Sequence, residues 1–201
     1  MNNRNTLTTL VLILSCIRVL SFLISYIGLK VLGNNSINEF LNAVYYTGAV
    51  MNIAITLFFA HALSLIKENI WRSMAFIFSA FMIAVFLMAG FSRVSDPNIF
   101  KALGAVNLLM LIFFIVQSFL IKNQYFKNAF RIYSITILLM VILNSAIPYI
   151  LYKMALPMSS IRSIALVNII PAIVECYLVY LFQQYFNSPS QYLDNDLSGD
   201  L

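Results

Sequence analysis

The run NIIPAIVECYLVY, Asn168 to Tyr180, decides how this chain is read. It lies within an apolar stretch long enough to cross a bilayer, yet it carries a carboxylate, Glu175, one helical turn after Pro171. A lone charge at the bilayer centre costs at least ~2.5 kcal/mol. Such a group either takes up a proton or is met by a cation supplied from elsewhere in the chain. The rest of the sequence has to show which.

The composition fits a membrane protein. Of 201 residues, 62% are hydrophobic and 9% charged, and the mean hydropathy is +0.90. Soluble domains are closer to 25% charged. The net charge of +5 comes from 12 basic and 7 acidic residues, with the bases at the ends of apolar runs. There they anchor helices at the headgroups, so the partner is a lipid bilayer and nucleic acid is not expected. The first apolar run is too long for a signal-peptide core and is read as a retained span.

Six runs each reach the ~20 residues that a bilayer core requires: residues 7–30, 43–66, 74–91, 102–121, 132–152 and 164–182. Lipid leaves unpaired backbone groups without partners, so the runs are read as helices. The expected fold is an all-α integral membrane protein with six transmembrane helices over 1–186. Its hairpins cover about 7–66, 74–121 and 132–182, and a polar tail at 187–201 is expected to be disordered. The connection containing VLGNNSINEF reads as a turn, and Asp96-Pro97 as a turn and helix start.

The basic residues barely separate the two sides. With the amino terminus cytoplasmic, that side holds Arg4, Lys67, Arg72, Lys122, Lys127 and Arg131, against Lys30, Arg93, Lys101, Lys153 and Arg162 opposite. The expectation is a bacterial inner membrane with both termini cytoplasmic. Tyr26, Tyr45, Tyr46, Trp71, Tyr125, Phe126, Tyr152 and Tyr185 read as interfacial belts.

The chain also contains an internal match. NIAITLFFAHALSLIK, Asn52 to Lys67, aligns without a gap with NLLMLIFFIVQSFLIK, Asn107 to Lys122. The match continues as IWRSMAFIFS against YFKNAFRIYS, and the sixth run gives a fainter third copy. The expected unit is therefore a helical hairpin used three times, as in some transporters and in other membrane proteins. The alignment sets Asn52, Asn107 and Asn168 at one depth. With Gln117 and Asn144 they are the candidate pocket-lining amides, and interhelical hydrogen bonding is the plainer role for them.

Three ionisable residues lie well inside spans: Arg18, His61 and Glu175. They form the candidate intramembrane polar site. Arg18 cannot lose its proton, so mutual neutralisation of Arg18 and Glu175 is the least costly arrangement. His61 aligns with Cys176 and is placed in the same layer. Pro171 and Pro148 are expected to kink the sixth and fifth helices. Cys16 and Cys176 read as buried apolar thiols.

No catalytic motif is visible: there is no H-E-x-x-H, no G-x-S-x-G and no P-loop. A single histidine excludes a haem held by two histidines and disfavours zinc. No cofactor and no metal are expected, and an enzyme has no support. Two readings stand. One is a small polytopic membrane protein whose central polar site binds or transports a small molecule or ion. The other is a non-catalytic membrane subunit or sensor partner, acting on another membrane protein, whose buried charges are purely structural.

Overall fold

The computed structural model describes residues 3–31, 34–91, 97–153 and 169–187. All regular structure among these residues is helical: α1 Asn3–Val31, α2 Asn34–Leu65, α3 Ile70–Phe91, α4 Pro97–Phe119, α5 Gln124–Lys153 and α6 Ile169–Asn187. Each contains a segment long and apolar enough to cross a membrane, six in all. This fits a helical membrane protein. In chain order each helix packs on the next through α5, and α6 packs against both α5 and α1. The helices thus close into a ring.

Several boundaries differ from the sequence reading. The patch read as a turn between the first two helices is helical from Asn34 onward. Asn and Ser favour helix amino termini as much as turns, so Asn34, Asn35 and Ser36 open α2 instead. α5 starts at Gln124, well before residue 132, because Lys127 and Arg131 leave helical backbone undisturbed. It also continues unbroken through Pro148. Pro97 is the first residue of α4, a position where its missing N–H is not needed. Residues 154–168, with Asn168, and the tail from 188 lie outside the described residues.

Short connections join α2 to α3 and α4 to α5. α2 ends in a Schellman turn: Glu68 N–H bonds the Leu63 carbonyl at 3.0 Å and Lys67 N–H bonds Ser64 at 3.1 Å. Lys67 takes the left-handed position, with φ 57°. Asn69 caps α3 by accepting from Trp71 N–H at 3.0 Å, and Asn123 caps α5 by accepting from Tyr125 N–H at 3.0 Å. The two connections are tied together. Glu68 Oε1 accepts from the Lys122 and Asn123 N–H groups at 2.9 and 2.7 Å, and Oε2 pairs with Arg72.

Aromatic side chains fill the ring on the side of these connections. Phe59, fully buried on α2, meets Phe76 of α3 and Phe130 of α5 edge-on, both at 5.8 Å between ring centres. Phe126 and Phe182 stack at 4.1 Å, and Phe114 of α4 meets Phe76 at 4.8 Å. Aromatic pairs of this kind contribute ~0.5–1.5 kcal/mol beyond area burial. Phe126 is therefore a core residue, not a belt residue as its place at a run's end suggested. It shares an inward stripe with Phe130 and Tyr133. Tyr45 and Trp71 do lie at the surface, 61% and 59% exposed.

The two cysteines are less buried than expected. Cys16 is exposed and Cys176 half-buried, and their sulfurs meet at 3.6 Å across the α1–α6 contact. The chain has no other cysteine. Copper-phenanthroline oxidation of the membrane-embedded protein should therefore give one intramolecular disulfide, read as the loss of two hydrogens by intact mass. Failure to cross-link, with both thiols still alkylatable after denaturation, would refute the α1–α6 packing.

Candidate functional site

Helical periodicity brings a polar layer together at the ring's centre. On α1 the inward stripe is Thr8, Val11, Ser15 and Arg18, spaced by three and four residues. Thr8 and Ser15 satisfy their hydroxyls on the Asn5 and Val11 carbonyls at 3.0 and 2.9 Å. On α6 the buried stripe runs Ala172, Glu175, Leu178, Val179 and Phe182. Arg18 and Glu175 therefore face each other where α1 meets α6.

Arg18 Nη1 donates to both carboxylate oxygens of Glu175, forming an ion pair. Glu175 is 1% exposed. Its second partner is Tyr133 of α5, whose hydroxyl donates to Oε2 at 3.1 Å. The Tyr133 ring also packs on Phe59 and Phe114 at 6.0 and 6.1 Å. Tyr133 thus joins the aromatic core to the charge pair. Tyr133 does not stand out in the sequence. The available signal is its spacing of seven and three residues after Phe126 and Phe130, which puts the three on one helical face; a run read as starting at residue 132 hides it, because Tyr133 then falls at the run's edge.

A cavity of about 190 Å³ reaches this pair. Every helix contributes to its wall. Arg18 comes from α1, Asn52 and Thr56 from α2, Ser79 from α3, Phe114 from α4, Tyr133 from α5 and Glu175 from α6. Pro171 lines it as well. Thr56 donates to the Asn52 carbonyl at 2.7 Å and approaches its side-chain oxygen at 3.3 Å. In the sequence Ser79 is one of several scattered span serines, and Thr56 does not stand out. Short hydroxyls are common in spans, and only the stripe they occupy separates these from the others.

The remaining candidates fall elsewhere. His61 is exposed and does not line the cavity. It belongs to the outward stripe Val50, Ala54, Leu57, His61 and Ser64, whereas Asn52, Thr56, Phe59 and Leu63 point inward. The alignment with Cys176 fixed its depth but not its direction around the helix. Asn107 and Asn144 are exposed, and Gln117 is half-buried but not in the cavity wall. Asn107 lies in the half of α4 that is exposed on nearly every side. Among the described residues no group of three or more histidine, cysteine, aspartate or glutamate side chains could hold a metal.

Chemically, the layer presents a neutralised charge pair and several neutral hydrogen-bonding groups around a small space. No protein-family model matches the chain, and no match to it was found among curated proteins or solved structures.

Removing one member of a buried pair strands the other. Glu175→Leu should cost about 3–5 kcal/mol, and adding Arg18→Leu should recover much of that loss. A double-mutant cycle from unfolding in detergent measures the coupling; purely additive losses would mean the two act independently. Tyr133→Phe removes one hydrogen bond to a charged acceptor and should cost about 1.5–3 kcal/mol.

Proposed function

We propose that this protein binds a small polar solute in its central cavity and serves the movement of that solute across a membrane. The observation that carries the reading is a single cavity walled by all six helices, with Arg18 and Glu175 side by side in its wall. A site shared by every helix of a ring is one whose occupancy every helix can respond to.

The wall argues for the class of solute. Arg18 and Glu175 cancel each other, so no net charge is left to attract a single ion. Asn52, Thr56, Ser79 and Tyr133 offer neutral donors and acceptors. A space of about 190 Å³ suits a ligand of roughly half a dozen heavy atoms. The favoured solute is therefore small and either uncharged or zwitterionic. The aromatic cluster fills the ring between the cavity and the Lys67 and Lys122 connections.

The proposal includes the hairpin repeat, a bacterial inner membrane and cytoplasmic termini. The aligned positions Thr56 and Leu111 both line the cavity, and the aligned Phe59 and Phe114 are both core residues, which supports the repeat. A second reading keeps the ion pair as a register lock for a non-catalytic subunit. Its support is that Glu175 is already bonded to both Arg18 and Tyr133.

Proteoliposome swelling with urea, glycerol and glycine as probes, against sodium chloride, separates the two. Entry of at least one neutral or zwitterionic probe should be accelerated over protein-free vesicles, and Ser79→Phe, which fills the cavity, should abolish it. If no probe enters faster, and Ser79→Phe only raises the melting temperature, the register-lock reading replaces this one.

A further inference from the structure

A second pocket lies away from the central cavity, at the tied connections 66–69 and 120–123. Its volume is about 480 Å³, and it is lined by Lys67, Arg72, Lys122, Glu68, Asn69 and Asn123 together with Ile66. We propose that it holds the phosphate of an anionic phospholipid headgroup.

Charge is the first argument. Three cations face one carboxylate, and that carboxylate is fully engaged. Glu68 accepts two backbone N–H groups and pairs with Arg72. Lys67 and Lys122 are then left to set the sign of the pocket. Basic pockets between helices at a membrane surface are well suited to phospholipid headgroups.

Arg72 supplies the second, independent argument. It is 6% exposed, and its Nε has no hydrogen-bond partner among the described residues. A buried guanidinium N–H without an acceptor is costly. Glu68 engages only Nη1, and the guanidinium carries further N–H donors in a fork that matches phosphate oxygens, so an anion seated beside Arg72 would meet donors that Glu68 leaves unused.

Backbone strain is the third. Lys67 holds a left-handed conformation at a Schellman turn, where glycine is the favoured residue. Strain retained at such a position points to a task for the side chain. The neighbourhood also suits a lipid. Ile70 and Trp71 follow directly at the start of α3, 64% and 59% exposed, and an exposed tryptophan belongs at headgroup depth. Both the cations for a phosphate and an apolar surface for the glycerol and acyl region are thus at hand. A soluble phosphate would use only the first.

Native mass spectrometry of the full chain released from detergent tests this, with dioleoylphosphatidylglycerol and dioleoylphosphatidylcholine as probes. The wild type should retain the anionic lipid at least tenfold better than the zwitterionic one. Lys67→Gln with Lys122→Gln should remove most of that preference, whereas Lys101→Gln with Lys127→Gln, an equal loss of charge elsewhere, should keep it. Lys67→Gly separates binding from folding: retention should fall while the melting temperature stays at or above that of the wild type. Equal retention of both lipids, or an unchanged preference in the Lys67/Lys122 variant, overturns the proposal. So does full displacement of the lipid by millimolar inorganic phosphate, which would make the site one for soluble phosphate.

Discussion

The pair formed by Arg18 and Glu175 is the constraint on which the arrangement of helices turns. A carboxylate at 1% exposure is costly to bury without a cation in contact. The cation is 157 residues earlier in the chain, at the other end of the helix order. Bringing them together forces α6 against α1, and that contact converts a string of helices into a ring. Tyr133 extends the demand to α5, because its hydroxyl completes the acceptor set of Glu175. Ring closure creates the central cavity, so the feature that isolates the charges also makes a space beside them.

Packing along the ring axis falls into two regimes. In lipid there is little hydrophobic drive for helices to associate, so shape and polar contacts must decide the arrangement. Toward the short connections, Phe59, Phe76, Phe126, Phe130 and Phe182 interlock through edge-on and stacked contacts. This explains how a chain without a G-x-x-x-G motif specifies one packing. Farther along, shorter side chains such as Thr56 and Ser79 no longer meet across the axis, and the cavity appears there. Tyr133 stands at the border, with its ring in the first regime and its hydroxyl in the second.

Helix count, and the meeting of Arg18 with Glu175, could be read from the sequence because both follow from the cost of polar groups in an apolar medium. That cost is large and local. Direction around a helix was harder to read. In spans that are apolar on every face, hydrophobic contrast does not mark the inner side, so depth alone sets His61 in the layer although it faces outward. Polar residues carry the missing information when taken as stripes: Thr8, Ser15 and Arg18 on α1, or Asn52 and Thr56 on α2. Phe126 misled for the opposite reason. An aromatic residue near a run's end fits a belt, and only its stacking on Phe182 reveals it as core. The left-handed Lys67 left no trace, because lysine is not a residue that announces such a turn.

The two aligned stretches, 52–79 and 107–134, also differ where identity would have been harmful. Lys67 aligns with Lys122, but Glu68 aligns with Asn123 and Arg72 with Lys127. The two connections lie together, so a second glutamate at 123 would have faced Glu68 directly. Instead, one connection offers a carboxylate and the other offers the backbone N–H groups of Lys122 and Asn123. The carboxylate sits at the amino-terminal end of α5, where the helix dipole favours negative charge, and at the same time it neutralises Arg72 at the start of α3. One acidic side chain thereby serves two helices at once. The matching lysines remain on the two connections, and their shared sign gives that end of the ring an electrostatic character the central layer lacks. The chain thus separates its charges by position: a neutralised pair inside, where net charge is costly, and an unbalanced set at the rim, where a polar medium can meet it.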